Sequence, residues 1–259
     1  MIRKKTKVNS LKIETDGLII GEQSVGEKDR LVTVLTRKLG VIRAFVKNCK
    51  SLKSTKGQAT RLLCYAQLSL YKRREAYIID DAVSEKIFAH LRTDIVKMSL
   101  AEYFCELARY LAPQETEAES YLRLILNALY MLDTNKRPAP LIKSVVELPL
   151  MVLSGYMPDL VCCCQCNAYE QEEMYFLPKS GKLICGNCIS EVKEYAIFTG
   201  KSVTTALRHC IYCEYNKLFN FSLPSEKLSI LGRCTEEYLL YITEHHFQTL
   251  QFYRTFSQG

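Results

Sequence analysis

Val41-Ile-Arg-Ala-Phe-Val-Lys47 decides the fold of the first third of this chain. Ile42, Ala44 and Val46 alternate with Val41, Arg43, Phe45 and Lys47, the period of two that sends successive side chains to opposite faces of a strand. Lys12–Ile20 and Arg30–Thr36 precede this stretch, and Ala66–Tyr71 and Ala76–Asp80 follow it. All are short, rich in Val, Ile, Thr, Tyr and Leu, and broken by Gly, Lys or Asn clusters. Five short strands within residues 1–80 predict a small closed β-barrel of the OB type.

Beyond Asp81 the apolar period becomes helical. Ile95, Met98, Cys105, Ala108 and Leu111 fall on one side of a helix that Thr93 or Asp94 can cap, and Pro113 marks its end. Tyr121, Leu124, Ile125, Ala128 and Leu132 form a second stripe, followed by a turn over Asn135–Pro140. A third helix over about Leu141–Leu153 stops at Gly155, with Pro158 beyond it. Residues 162–188 read as a cysteine-rich loop; helices return over about Ser202–Phe219 and from Ser225 to near Phe247. The expected class is multidomain α+β: a barrel domain at 1–80 and a helical domain at 81–259 that carries a cysteine module at about 160–190.

Charge divides along the same line. The net charge is +7, but residues 1–80 hold 18 Lys and Arg against 7 Asp and Glu, and the remaining residues hold 17 against 21. A basic third joined to a mildly acidic remainder is the footprint of a protein that meets a polyanion. The basic N-terminus is followed by no apolar signal-peptide core, and no run approaches the ~18 apolar residues of a membrane span, so a cytosolic protein is expected. In a reducing compartment twelve cysteines are read first as metal ligands and then as small core residues.

The sharpest chemical signal is Cys163-Cys164-Gln165-Cys166 followed by Cys185-Gly186-Asn187-Cys188. Two C-x2-C pairs separated by eighteen residues lie within zinc-ribbon spacing. Two residues between thiolates allow a tight knuckle to aim both sulfurs at one ion, and two knuckles complete a closed tetrahedral shell. Such a shell keeps no position for water, so one structural Zn²⁺ held by Cys163, Cys166, Cys185 and Cys188 is expected, with Cys162 a possible substitute for Cys163. Cys210 and Cys213 repeat the spacing beside His209, but no second pair follows and the surroundings are apolar; these two, with Cys49, Cys64, Cys105 and Cys234, read as core residues.

Basic residues in the first domain are interleaved with aromatic ones. Arg43, Lys47, Arg61 and the Lys72-Arg73-Arg74 run lie near Phe45, Tyr65, Tyr71 and Tyr77. Single-stranded nucleic acid is held by that combination, cations tracking the backbone while rings stack on bases. Lys47, Lys50, Lys53 and Lys56 recur at every third position through Asn48–Gln58, where no acid occurs; an exposed loop could bring all four to one phosphate backbone. Gly21-Glu-Gln-Ser-Val-Gly26-Glu27-Lys28 imitates a phosphate loop, but Glu27 separates glycine from lysine and no Ser or Thr follows. No HExxH, PCxxC or GxSxG motif is present, and four histidines offer little acid–base chemistry. A protein that is not an enzyme is expected.

These features together resemble the RecO family over nearly the whole chain. The matching stretches are ETDGLIIGEQSVGEKDRLVTVLTRKLGVIRAFVKN at 14–48, GYMPDL at 155–160, GKLICGNC at 181–188 and LRHCIYCEYNKLFNFSL at 207–223. Asn167 stands where the family often has glycine, and Ser180-Gly181 where Gly-Gly is common; neither change removes a ligand. The resemblance implies an OB barrel, a helical domain and an inserted zinc module. It also implies binding to single- and double-stranded DNA, annealing of complementary strands, and partnership with RecR. Further implied partners are the C-terminal tail of single-stranded DNA-binding protein (SSB) and the RecA-loading pathway of gap repair, in the cytoplasm at the nucleoid. Within the shared Gly26-Glu27-x-Asp29-Arg30 stretch, Glu27 and Asp29 are expected to pair with Arg30. The competing assignment is another zinc-ribbon nucleic-acid factor associated with transcription or the ribosome, which need not accelerate strand pairing.

Overall fold

The computed structural model describes residues 12–49, 54–73 and 76–257. Lys50, Lys53 and Arg74 lie outside them. The chain divides into two compact units, one of Met1–Phe88 with Ala112–Arg123, the other of Ala89–Leu111 with Leu124–Gly259.

In the first unit alternating apolar residues build β1 (Lys12–Val25), β2 (Asp29–Thr36), β3 (Gly40–Val46), β4 (Cys64–Lys72) and β5 (Tyr77–Ile87). β1 is antiparallel to both β2 and β4, β2 to β3, and β4 to β5. A parallel pairing of β3 with β5 closes the circuit into a barrel of order β1-β2-β3-β5-β4. Facing residues such as Val34 and Ile42, or Val32 and Ala44, put their side chains into one interior with Ile19, Val46, Leu68, Leu70 and Ile79. Removing each such aliphatic side chain from water contributes about 1.5–3 kcal/mol, the force that keeps the barrel shut.

Three features depart from the reading of the sequence. β1 continues past Ile20 to Val25, because polar Gly21–Ser24 has no alternation to read but pairs its backbone with β2, Glu22 opposite Val32 and Ser24 opposite Arg30. The two-glycine stretch is thus the arm and tip of a β-hairpin. β5 likewise runs past residue 80 to Ile87. Between β3 and β4 the chain forms a short helix, α1 (Thr55–Ala59), capped by Ser54, whose Oγ accepts the Gly57 N–H at 3.0 Å.

The second unit contains α2 (Ile95–Leu111), α4 (Ala139–Leu153), α5 (Gly200–Tyr212), α6 (Ser225–Thr243) and α7 (Gln248–Ser257), and α3 spans Glu119–Asp133. Asp94 caps α2 as the sequence suggests, its Oδ1 accepting the N–H groups of Val96 and Lys97 at 3.0 and 3.1 Å. α4 is buried from Leu141 to Met151, the pattern of a helix surrounded on all sides. Its two charges stay ionically satisfied: Lys143 lies 2.7 Å from both Glu147 and Glu236, and Glu147 also accepts from the Tyr103 and Thr235 hydroxyls. The last helical stretch, expected to run to near Phe247, stops at Thr243, and a further helix follows it. α6 ends where Glu244 takes a left-handed φ of 48°, buried Phe247 fills the turn, and Glu106 accepts the Thr249 N–H at the start of α7.

Residues 159–198 are a four-stranded sheet rather than a loop. β6 (Asp159–Cys163), β7 (Met174–Leu177), β8 (Lys182–Cys185) and β9 (Ile197–Phe198) pair in the order β6-β8-β7-β9. Strands of two to five residues are too short to show a period. Among the described residues no helix is long and apolar enough to cross a membrane.

Candidate metal centre and nucleic-acid surface

Along β6 Leu160 is buried, Val161 exposed, Cys162 half-buried and Cys163 buried, with an irregular register to β8 between Asp159 and Cys163. After Cys163 the chain turns sharply: the Asn167 N–H returns to the Cys163 carbonyl at 3.0 Å, with Asn167 at a left-handed φ of 59°. Asparagine tolerates that conformation, which explains how the knuckle forms without glycine. A second turn at the end of β8 returns the Cys188 N–H to the Cys185 carbonyl at 3.0 Å. The ligand atoms of Cys163, Cys166, Cys185 and Cys188 then lie within 4.8 Å of one another.

This donor set fits a metal ion. Tetrahedral Zn–S bonds of about 2.3 Å place sulfurs about 3.8 Å apart, and Cys166 Sγ lies 3.6 Å from Cys185 Sγ. The Cys185 N–H donates to Cys163 Sγ at 3.4 Å, the main-chain support expected of a thiolate knuckle. Burial works to raise the Cys163 thiol, but main-chain hydrogen bonds from Cys166, Cys185 and Gln165 bring it down to about 6. Cys162 is outside the four-sulfur group, its Sγ directed to Asn167 Oδ1 at 3.8 Å. Cys49, Cys64, Cys105, Cys210 and Cys234 are buried, the core positions their apolar context predicts, whereas Cys213, expected there too, is only half-buried where α5 ends.

An arginine from α5 holds the sheet in place. Arg208 Nε donates to the Leu160 carbonyl at 2.7 Å, and its Nη2 donates to the carbonyls of Val161 and Tyr169 at 3.0 and 2.5 Å. Its guanidinium also lies 4.1 Å from the centre of the Tyr169 ring. Sequence reasoning missed this residue, because a buried arginine whose partners are distant main-chain carbonyls leaves no spacing to read.

On the barrel, the inward set Ile42, Ala44 and Val46 forces the alternate residues of β3 outward. Arg43 and Lys47 are exposed, with half-buried Phe45 between them, and Leu31 and Thr33 of β2 lie beside Phe45 and Arg43 in the sheet register. Lys72 and Arg73 stand exposed where β4 turns towards β5. Lys72 is engaged, paired with Glu115 at 2.5 Å and 5.5 Å from the Tyr77 ring centre. Arg61 is exposed just after α1, and half-buried Lys56 sits on α1 itself, its Nζ donating to the Asp80 carbonyl at 3.1 Å. Tyr77 is buried and donates to Glu115, and Tyr65 donates to Asp16, so these two rings serve the barrel rather than an open stacking face.

Two family models match, one described as the N-terminal part of recombination protein O over residues 11–88, the other as its C-terminal part over residues 92–251. The chain belongs to the RecO family of DNA repair proteins. Among its relatives, the DNA repair protein RecO of Acetivibrio thermocellus is 27% identical over 243 residues, 94% of this chain and 96% of that protein. The RecO of Dehalococcoides mccartyi is 33% identical over 176 residues, covering 68% of this chain and 69% of its own. That of Symbiobacterium thermophilum is 25% identical over 244 residues, 93% and 96% of the two chains.

Proposed function

We propose that this RecO-family chain binds single- and double-stranded DNA on its barrel, anneals complementary strands and, with RecR, helps load RecA onto SSB-coated single strands in gap repair. The observation that carries the reading is exposed Arg43 beside half-buried Phe45 on the outer face of β3, with exposed Lys47 in the turn that follows the strand. In OB barrels the face of strands 2 and 3 and the loops joining strands 1–2 and 4–5 are where oligonucleotides lie. β3 is a third strand of five, and Lys72 and Arg73 are at the connection between the fourth and fifth; the strand order and this charge placement support an OB type for the barrel. Arg61 and Lys56, together with Lys50, Lys53 and Arg74 outside the described residues, extend the cationic set.

Annealing brings two polyanions together, and a cationic surface lowers that cost by screening and counterion release. Contacts to backbone rather than base edges leave the bases free to pair. Nothing in this scheme makes or breaks a covalent bond, so the chain acts as a mediator and not an enzyme. The four thiolates of Cys163, Cys166, Cys185 and Cys188 would hold one Zn²⁺, whose contribution is to fix the β6–β9 sheet. The acidic SSB tail fits a cleft of about 310 Å³ in the helical unit, lined by Pro138, Leu141, Phe221 and Leu223 with Lys136 and Arg137 beside them. A mixed apolar and polar lining with two cations beside it suits a short acidic segment.

The test is annealing of complementary strands coated with SSB, with and without RecR. Acceleration by this protein, enhanced or regulated by RecR, is expected. A chain that binds DNA but leaves the pairing rate at its protein-free value would overturn the reading in favour of a simple zinc-ribbon binder.

A further inference from the structure

The Gly26-Glu27-x-Asp29-Arg30 stretch has partners other than those its sequence suggests. Arg30 is buried on β2, and its Nη1 donates to the carbonyls of Gly57 and Thr60, both at 3.1 Å. Its acidic neighbour is Glu22 across the hairpin, at 3.5 Å. Glu22 in turn accepts the Leu62 N–H at 3.3 Å and lies 3.9 Å from Arg61. Asp29 accepts the Asn48 N–H at 2.9 Å, and the Lys28 carbonyl accepts the Cys49 N–H at 3.0 Å. The hairpin therefore grips the connection between β3 and β4 at both ends, at Asn48–Cys49 where it leaves the barrel and at Gly57–Leu62 where it returns. Gly57 completes the seat, because a Cβ there would strike the Cys49 carbonyl oxygen.

We propose that Arg30 and Glu22 are positioning residues of the DNA-binding surface, a clamp that holds α1 and the following turn so that Lys56 and Arg61 stand at fixed places for phosphates. The proposal rests on the DNA-binding reading of the barrel. Arg30 itself is turned away from solvent and spends its guanidinium on carbonyls that otherwise mark the open end of a one-turn helix. Such carbonyls carry partial negative charge, so a buried cation against them is stabilising where an exposed lysine pair would be screened. Without the clamp, each phosphate contact made by Lys56 or Arg61 must first order a loose segment, and affinity falls by that entropy.

Charge and position can be separated because Glu22 is acidic. Binding of a labelled oligothymidylate at several salt concentrations is measured for the wild type, Arg30→Gln, Glu22→Gln, Lys56→Ala/Arg61→Ala, and the triple combination of Arg30→Gln with the last pair. Removing a negative charge near a polyanion strengthens binding on electrostatics alone; the clamp predicts that Glu22→Gln binds more weakly than the wild type. The Lys56→Ala/Arg61→Ala pair should flatten the log–log salt slope by about 1.4, at about 0.7 per phosphate released from a single strand. In the Arg30→Gln background the same pair should change the slope far less, since coupled residues do not add. Tighter binding by Glu22→Gln, or full additivity with Arg30→Gln, overturns the clamp while leaving the DNA reading in place. No effect of Lys56→Ala/Arg61→Ala in the wild-type background removes that reading at this segment, and the clamp with it. Should Arg30→Gln fail to fold, the sign of the Glu22→Gln change decides alone.

Discussion

β1–β5 enclose Ile19, Val32, Val34, Ile42, Ala44, Leu68 and Ile79 in one interior, whereas β6–β9 are strands of two to five residues that bury only a short set, Leu160, Met174, Phe176, Leu183, Ile184 and Ile197. The barrel is held by burial along its whole length. The small sheet adds anchors at points to its shorter burial: four sulfurs at one end and Arg208, through three carbonyls, at another. A long buried interior loses little when one contact is removed; a short sheet that leans on a few anchors should lose much more. That difference lets each part be perturbed without the other.

The largest effect should follow removal of metal. Structural zinc contributes on the order of 10 kcal/mol to the folding of small thiolate modules. A strong chelator, or Cys185→Ser/Cys188→Ser, is expected to abolish one equivalent of zinc, expose backbone amides of residues 159–198 to hydrogen exchange, and leave the amides of β2 and β3 protected. Elemental analysis with exchange mass spectrometry reads both. Metal-free protein purified without chelator, or a barrel that melts together with the sheet, would break the contrast.

Arg208→Ala should come next, at about 3 kcal/mol, because three carbonyls lose a charged donor and a buried cation is replaced by a void. Urea unfolding should show the loss, and hydrogen exchange should place it in β6 and the turn at Tyr169. Arg208→Lys keeps the charge but lacks the fork that reaches separate carbonyls, so it should recover little. Equal protection of β6 in wild type and variant would dismiss Arg208 as an anchor.

The smallest effect concerns the barrel. Asp16 is buried, which works to raise its carboxyl, but hydrogen bonds from Arg37 and Tyr65 hold it below the ordinary range. A depressed carboxylate adds stability above the unfolded pKa of about 3.9 and loses it as pH falls through the folded value. Asp16→Asn is therefore expected to lower barrel stability by roughly 1–2 kcal/mol at pH 7, with the gap to wild type closing below about pH 4. Denaturant midpoints across pH measure this, and a gap that persists in acid would assign the loss to shape rather than charge.

Much of this architecture is legible in the amino-acid sequence. Val41–Lys47 announces its faces because every second residue is apolar, and the paired C-x2-C spacing names four sulfurs that the fold brings within reach of one ion. What escapes does so for physical reasons. Gly21–Ser24 forms a strand by backbone pairing with β2, which leaves no mark on side-chain pattern. Lys143 and Glu147, four apart, resemble an exposed helical pair yet are buried against Glu236 from another helix. Arg30 and Arg208 bind main-chain oxygens 27 to 48 residues away, and a carbonyl has no residue type to recognise. Sequence pattern reports periodic burial; it is silent where a charge is satisfied by the backbone of a distant turn.

The central claim is that the outer face of β3 and the β4–β5 turn hold DNA by its phosphates. The direct measurement is the salt dependence of single-strand binding for Arg43→Ala/Lys47→Ala/Arg73→Ala against the wild type. Loss of three phosphate contacts should flatten the log–log slope by about 2, weaken binding to every sequence tested, and slow annealing, with zinc content and unfolding midpoint unchanged. An unaltered slope with unaltered affinity would contradict the claim and move the DNA site off this face of the barrel.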